Sequence, residues 1–239
     1  MTESSETTPT DAFAHLHVEP VSTVDRVADE LRRALFDGEL DPGTPLREVA
    51  IAESLGVARS TVREALGVLV AEGLADRVPN KGTAVHQLSR EEIRDVCRAR
   101  AVLETAGVRH WGEASEESRD AVRQALTEFR RLAGTAATAQ ELTAVHLQIH
   151  RALAALTESP RLIAMSESLY AEIRLALAGL DRTRGNVREQ AHSHADLVRL
   201  LERGHLAEAE AELAEHLAGA ERSLVDFLVD SLSSLDSPA

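Results

Sequence analysis

The sequence has one cysteine, Cys97, and few aromatic residues, which make up 3% of its 239 residues. A single thiol excludes a disulfide within the chain and is consistent with a reducing cytosol. The helical context of Cys97 favours a small core residue over the alternative of a redox sensor. Because aromatic rings are so scarce, a core drawn from the 44% of hydrophobic residues must be built from Leu, Val and Ala, which suits packed helices.

Long apolar runs and an apolar leader are also missing. No stretch approaches the roughly 20 apolar residues that are needed to span a bilayer. Residues 1–20 are acidic and rich in Ser and Thr. They lack the basic start and apolar stretch of a signal peptide, and they are typical of a disordered tail. We therefore expect a cytoplasmic protein with no membrane partner.

Positive charge is in short supply, since the formal net charge is −14. Residues 20–90 contain nine Lys or Arg against eleven Asp or Glu. No segment is basic overall, so any affinity for nucleic acid must come from locally clustered arginines. The acidic remainder predicts weak non-specific DNA binding and a strong dependence on salt.

The stretch Ala58–Leu74 combines an apolar stripe of helical period with a cationic first turn. The first turn holds Arg59, Ser60, Thr61 and Arg63. Cations at this end oppose the helix dipole and do not stabilise the helix. Phosphate oxygens and base edges, however, accept hydrogen bonds from such side chains. The alternative is a solvated first turn with a capping hydroxyl.

The flanking sequence favours DNA binding. Leu46–Leu55 predicts a short helix, and Gly56 makes a tight turn into the cationic helix. Helix, short turn and helix is the helix-turn-helix pattern, in which the second helix reads DNA. Residues 74–78 and 83–87 predict two strands of a wing, with Lys81 at its tip. Spacing alone thus predicts a winged helix that binds double-stranded DNA.

Residues 89–231 are predicted to form about six helices separated by turn-rich segments. The predicted fold is therefore mainly α: an N-terminal winged helix-turn-helix plus a C-terminal all-α helical bundle. The predicted boundaries are a disordered tail (1–20), the winged helix-turn-helix (21–88), the helical bundle (89–231) and a C-terminal tail (232–239).

Four histidines of the bundle are candidate metal ligands. His146 and His150 are four residues apart on one helix face, which lets two imidazoles bind one ion. His194 and His216 lie on two later predicted helices. Neutral imidazole suits Zn, Ni, Cu, Co or Fe better than Mg or Ca. The alternative is that these histidines are polar or partly buried bundle residues with no common ligand.

Residues 22–88 resemble the winged-helix domain of the GntR family of bacterial transcription regulators. The segments that carry the resemblance are Val24–Leu35, Gly38–Leu46, Leu55–Leu66, Glu72–Leu74 and Lys81–Thr83. The resemblance implies DNA contacts from Arg59, Ser60, Thr61 and Arg63, and a wing that approaches the minor groove at Gly82. The scaffold helix of the family often has a DNA-contacting arginine where this chain has Val49, and Arg47 is the candidate to replace it.

Residues 90–226 resemble the FCD effector domain of FadR-type GntR regulators, an all-helical bundle that in many members holds a divalent metal. The resemblance lies in His146–Leu153, in the stretch from His194 to Gly204, and in Ala209–His216. It implies the metal ligands His146, His150, His194 and His216, with His146 where the family usually has Asp. Four neutral imidazoles favour zinc, with nickel or copper as alternatives.

Arg100 matches the Arg-x-x-Leu-Glu pattern of the family, which implies that it binds the carboxylate of a small effector. An intrahelical pair with Glu104 is the alternative. The resemblance implies a homodimeric regulator, in most members a repressor, that binds a pseudo-palindromic operator and responds to a small carboxylic acid. We expect no enzyme activity, because no catalytic motif accompanies the histidines. Two alternatives are a regulator that senses the metal itself and a metallohydrolase that carries a DNA-binding domain.

Overall fold

The computed structural model describes the backbone of residues 22–180 and 187–235, and the side chains of 22–178 and 193–228. Within these residues the chain forms nine α-helices and one small antiparallel sheet. The predicted N-terminal tail, residues 1–20, lies outside the described residues. The fold is mainly α, with a winged helix-turn-helix followed by a helical bundle, as predicted.

The N-terminal part consists of three helices and three short strands. These are α1 (Thr23–Phe36), β1 (Pro45–Leu46), α2 (Glu48–Leu55), α3 (Arg59–Ala71), β2 (Ala75–Val78) and β3 (Gly82–Val85). α1 begins at Ser22, whose side chain accepts a hydrogen bond from the backbone N–H of Asp25 in a capping box. The buried faces of α1 and α3 pack against each other around Leu35, Leu66 and Leu69.

The sheet contains one strand more than the predicted wing. Its order is β1-β3-β2, so β3 pairs with β2 as predicted and also with β1. The prediction that the scaffold helix begins at Leu46 is wrong, because Leu46 pairs with Thr83 and α2 begins at Glu48. Leu46 is buried between exposed neighbours, so this two-residue strand buries one apolar side chain.

The helical bundle contains six helices within the described residues. They are α4 (Arg90–His110), α5 (Glu116–Ala133), α6 (Ala139–Ala155), α7 (Pro160–Leu180), α8 (Val187–Glu202) and α9 (Leu206–Leu235). Ser89, Ser115 and Thr138 cap α4, α5 and α6 by accepting a hydrogen bond from a backbone N–H three residues later. α9 extends four residues beyond the boundary predicted at 231, because neither glycine nor proline interrupts residues 220–237. None of the described helices has both the length and the apolar character needed to cross a bilayer.

The apolar core is continuous between the two parts of the chain. One cluster of buried side chains runs from α1 and α3 into α4, α7 and α9, and a second fills the space between α4, α5, α6, α8 and α9. At the junction, the Arg174 guanidinium of α7 lies 4.3 Å from the ring centroid of Phe36 in α1. Helix α7 therefore connects the bundle to the first helix of the winged domain.

Candidate metal centre and nucleic-acid interface

Three helices of the bundle bring the four predicted histidines together. α6 supplies His146 and His150, α8 supplies His194, and α9 supplies His216. The Nε2 atoms of the first three form a triangle with two sides of 3.2 Å and one of 3.3 Å. One ligand atom from each of the four histidines lies within 4.8 Å of the others. Sequence spacing alone left this convergence open, and the packing of α6, α8 and α9 produces it.

The separation of these nitrogens fits ligands of one metal ion. Zinc–nitrogen bonds of about 2.0–2.1 Å place two ligand nitrogens about 3.3–3.4 Å apart in tetrahedral geometry and about 2.8–3.0 Å apart in octahedral geometry. The observed sides of 3.2 and 3.3 Å fall between these values. The donor set is therefore compatible with a single divalent transition metal.

The surroundings of His216 also fit a role as a metal ligand. Its Nε2 atom is buried and has no hydrogen-bond partner among the described residues. A buried polar atom without a partner costs about 1–3 kcal/mol, so proteins rarely retain one without a function. The His216 ring stacks on His150 with centroids 5.1 Å apart, and its centroid lies 4.3 Å from that of His194. A metal ion bound by the other three rings would give this nitrogen a partner.

Burial keeps these imidazoles in the form that binds metals. It holds the pKa of His146 and His150 well below 6.5 and lowers the pKa of His216 to about 2, and the neighbouring histidines act in the same direction. A neutral imidazole has one ring nitrogen with a free lone pair. No proton therefore has to leave these three rings before a metal binds at neutral pH.

Glu104 of α4 contacts one of the four candidate ligands, His150. Its Oε2 atom lies 2.7 Å from Nδ1 of His150, and its Oε1 accepts a hydrogen bond of 3.0 Å from Nε of Arg100. The Tyr170 hydroxyl lies 2.7 Å from the carbonyl oxygen of His150 and 3.2 Å from Glu104 Oε1. A carboxylate at Nδ1 holds the proton on that nitrogen and leaves the Nε2 lone pair for a metal.

Arg100 forms the predicted intrahelical pair and also borders the cavity. It pairs with Glu104 on the same helix, as the alternative allowed, and it is 3% exposed. Its side chain also borders the cavity beside the histidines. Glu104 accepts from the Nε atom of Arg100. The role of Arg100 as a receptor for an effector carboxylate remains a prediction.

A cavity of about 280 Å³ adjoins the histidines. Arg100, His146, His150 and His216 form one part of its wall, and apolar side chains of α6, α7 and α9 form another. Polar groups of α8 and α9 complete it, namely Ser193, Glu212, Glu215 and Ser223. The size and the mixed lining suit a small polar molecule.

The predicted DNA-reading residues lie at the exposed end of α3. Arg59 and Arg63 are 61% and 57% exposed, Ser60 is exposed, and Thr61 is half-buried. Both arginines bind the carboxylate of Glu48, the first residue of α2. The sequence prediction missed Glu48, because it lies 11 and 15 residues from its two partners. The spacing identified the cations but gave no sign of their common anion.

A groove of about 680 Å³ runs between the wing and the scaffold helix. Arg47, Lys81 and Gly82 line it, so the predicted cations of the scaffold helix and of the wing face one another. Gly82 has φ +94°, a conformation that favours glycine, and an added Cβ would meet no atom within 4 Å. Val49, where the family often has arginine, also lines the groove and is 51% exposed. A phosphate contact at that edge would therefore depend on Arg47.

Comparison with protein families divides the chain in the same way as the fold. The model of the bacterial regulatory proteins of the gntR family matches residues 23–85, and the model of the FCD domain matches residues 95–219. The first region contains the candidate DNA-reading face, and the second contains all four histidines. The predicted domain boundary near residue 88 falls between the two matched regions.

Two curated relatives are transcriptional repressors. The chain is 28% identical over 195 residues to the probable D-xylose utilization operon transcriptional repressor of Paenarthrobacter nicotinovorans, covering 81% of this chain and 84% of that one. It is 40% identical over 84 residues to the gluconate operon transcriptional repressor of Bacillus subtilis, covering 35% and 34% of the two chains. The first similarity extends over both parts of the chain.

Solved structures have the same fold. A GntR protein from Rhodococcus sp. RHA1 superimposes with a TM-score of 0.75 at 27% identity, covering 86% of this chain and 99% of that one. The Escherichia coli protein McbR/YncC superimposes with a TM-score of 0.71 at 22% identity, covering 86% and 98%, a likeness of fold alone. The matched families and the curated repressors are regulators of transcription rather than enzymes, which confirms the expectation that the chain is a regulator.

Proposed function

Because the chain belongs to the gntR family of bacterial regulatory proteins and carries an FCD domain, we propose that it is a cytoplasmic transcriptional repressor controlled by a metal-dependent effector site. Its affinity for operator DNA would depend on a small carboxylic acid bound beside the metal. The two curated repressors support this direction of regulation. The observation that carries the proposal is the convergence of four histidines, one with an unpaired buried nitrogen, at a cavity bordered by Arg100.

The proposed ligands of the metal are His146, His150, His194 and His216. An all-imidazole donor set favours zinc, with nickel or copper as alternatives. When bound, the ion would supply a positive charge and, if it took ligands beyond the four imidazoles, a coordination position for a carboxylate oxygen. The surrounding residues of the protein would prepare the imidazoles to bind the ion. Glu104 would hold the ring proton of His150 on Nδ1, and burial lowers the pKa of His146, His150 and His216, which keeps these three rings neutral.

Arg100 is the proposed receptor for the effector carboxylate. A planar guanidinium binds carboxylates more specifically than a lysine ammonium does, because it donates in a fixed fork. Its burial increases the strength of such a contact, since little water competes for the donors. The hydroxyls of Ser193 and Ser223 donate to Glu212 and to the carbonyl oxygen of Gly219, so their oxygens can accept hydrogen bonds from the effector.

Helix α7 offers a physical connection between the cavity and the DNA-binding part. Ile173 and Leu177 line the cavity, while Arg174, between them in sequence, lies over Phe36 of α1. A shift of α7 on effector binding would therefore reach α1, which packs against the recognition helix α3. In a homodimer, two such helices would enter successive major grooves of a pseudo-palindromic operator. A coupling of about 1–3 kcal/mol between the two sites would be sufficient for regulation.

Elemental analysis of the purified protein tests the metal site directly. We expect close to one zinc, nickel or copper ion per chain, and its loss from the His150→Ala and His194→Ala variants. His205→Ala is the matched control, because His205 is exposed on the surface and should leave the metal content unchanged. Absence of metal in the wild type, together with no uptake of added zinc or nickel, would contradict the metal-dependent part of the proposal.

The role of the effector requires a separate measurement. Operator duplexes can be selected from random-sequence DNA by the wild-type protein, and their affinity measured with metal, with a chelator, and with small carboxylic acids. We expect at least one acid to change the affinity in the wild type and not in Arg100→Met. If the metal alone produced the full change and no acid had an effect, the protein would be a sensor of the metal.

A further inference from the structure

We propose that Glu48 is a specificity-determining residue for DNA recognition, one that positions Arg59 and Arg63 without itself recognising a base. It holds both arginines in the orientation that reads base edges, and it restrains them from binding phosphates of unrelated sequences. The inference rests on the proposed operator binding and concerns how that binding becomes selective.

The geometry joins two helices through one carboxylate. Glu48 is the first residue of α2 and is 25% exposed. Arg63 donates to both of its oxygens, from Nε to Oε1 at 3.0 Å and from a terminal nitrogen to Oε2 at 2.8 Å. Arg59 donates from Nε to Oε2 at 2.7 Å. This anion therefore fixes the two arginines, while more than half of each arginine side chain stays exposed.

The first turn of α3 needs a compensating anion. Arg59 and Arg63 are four residues apart on one helix face, so their charges repel each other. Both arginines also lie at the N-terminus of α3, where the positive end of the helix dipole disfavours cations. Ala58 at the N-cap provides no side-chain hydrogen bond. Glu48 offsets both effects from its place at the N-terminal end of α2, where the dipole of its own helix favours a negative charge. The two arginines hold its pKa down at about 2, so it stays ionised wherever DNA binding is measured.

The contacts of Glu48 should have opposite effects on the affinity for the operator and on the affinity for unrelated sequences. Long arginine side chains lose rotamer freedom on binding, and a fixed orientation reduces that loss at a matching base edge. At an unrelated sequence, a phosphate must compete with the carboxylate for the same donors and also lies close to its negative charge. Selectivity is the difference between the two affinities, so an anion that disfavours the wrong partner increases it.

The test compares a duplex that the wild-type protein selects from random-sequence DNA with a scrambled duplex of equal length and composition. Glu48→Gln removes the charge, and Glu48→Asp keeps the charge but shortens the side chain by one methylene. Glu53→Gln is the matched control, because Glu53 is exposed on the same helix and the change of charge is equal. Thermal unfolding of each variant establishes that it is folded.

We expect Glu48→Gln to reduce the ratio of selected to scrambled affinity about tenfold, the lower end of the range for one bidentate base contact. Most of the change should be tighter binding of the scrambled duplex. The salt dependence of that binding should steepen, by about 0.9 in log–log slope for each additional phosphate that the arginines neutralise. Glu48→Asp should also lower the ratio, whereas Glu53→Gln should leave it within about twofold of the wild type, as expected for a surface change that touches no base contact.

An equal increase in affinity for both duplexes in Glu48→Gln and Glu53→Gln would overturn the inference, because net charge alone would then explain the effect. A wild-type ratio in Glu48→Asp and Glu48→Gln would overturn it as well, while leaving operator binding intact. If the wild-type protein enriched no sequence at all, operator binding itself would fail, and the inference would fail with it.

Discussion

The contact between Glu104 and Nδ1 of His150, 2.7 Å apart, predicts which ring nitrogen carries the proton. An ionised carboxylate can only accept, so we expect the proton on Nδ1 and the lone pair on Nε2. In Glu104→Gln, the amide can accept from Arg100 and donate to Nδ1, which would move the ring proton to Nε2. We therefore expect the affinity for zinc to fall about 10–100-fold, as for other residues that orient a metal ligand. Competition with a chromogenic chelator measures this affinity.

The exposed Glu91, on the same helix as Glu104, provides the control for that substitution. Glu91→Gln makes the same chemical change without touching the site, and its zinc affinity should equal that of the wild type. Unfolding in the presence of a chelator separates a loss of fold from a loss of metal. A folded Glu104→Gln protein with unchanged zinc affinity would show that the carboxylate does not orient His150.

Cys97 should behave as a core residue rather than as a redox sensor. It is 5% exposed, and burial raises the pKa of its thiol to about 11. The reactive species is the thiolate, and at pH 8 almost all of the thiol is protonated. We expect a chromogenic disulfide reagent to react with the native protein at least about 100-fold more slowly than with the protein unfolded in guanidinium, because the pKa returns to about 8.5 on exposure. Rapid native labelling at pH 8 would contradict this assignment.

At the scale of single residues, the sequence predicted the exposed cations and the clustered histidines better than it predicted the carboxylates that contact them. The histidine pair of α6 followed from a spacing of four residues. The sequence suggested Glu104 as a partner of Arg100, but it gave no sign of the contacts of Glu104 with His150 or of Glu48 with Arg63. These contacts join different helices, across 46 and 15 residues of sequence. Only the packing of α2 on α3, and of α4 on α6, decides which carboxylate meets which cation.

Helices α4 and α6 approach each other closely at Gly107. A Cβ added there would overlap the carbonyl oxygen of Leu153, so any larger residue must push the helices apart. We expect Gly107→Ala to lower the free energy of unfolding by about 1–3 kcal/mol, as overpacking does in other cores. Because α4 carries Glu104 and α6 carries His150, the zinc affinity should fall as well. Urea unfolding with a chelator present, followed by zinc titration, measures both effects.

Gly112 is the control for Gly107 because no atom lies within 4 Å of an added Cβ at that position. We expect Gly112→Ala to have a stability and a zinc affinity close to those of the wild type. A Gly107→Ala protein as stable as the wild type would mean that α4 and α6 can separate without cost. A destabilised protein with normal zinc affinity would mean that the histidine site does not depend on this approach.

The limits of most helices were predictable from local chemistry, whereas β1 was not. Capping side chains such as Ser22 and Ser89 begin α1 and α4, and Pro160 is the first residue of α7. β1 consists of two residues, and it exists only because β3 lies beside it. The close approach of α4 and α6 at Gly107 was not predictable from the local sequence, because it depends on which helix packs against the glycine.

At the scale of the whole molecule, α7 belongs to both functional regions. The cavity touches Ile173 and Leu177, and the first helix of the winged domain touches Arg174. A second link joins the parts, since the Gln140 side chain of α6 donates to the carbonyl oxygen of Asp37 at 3.4 Å. The continuous apolar core means that the winged domain and the bundle pack as one body. A change in the cavity can therefore reach α1 without a flexible connection.

Arg174→Met should uncouple the cavity from DNA while leaving the metal in place. The substitution keeps an apolar chain of similar length but removes the cation over Phe36, a contact typically worth about 0.5–2 kcal/mol. We expect removal of metal by a chelator to change operator affinity less in this variant than in the wild type, with equal zinc content in both. Arg161→Met, at an exposed position on the same helix, should respond like the wild type. If the chelator response of Arg174→Met matched that of the wild type, the coupling between the two sites would have to pass through other contacts, because the cation over Phe36 would then transmit none of it.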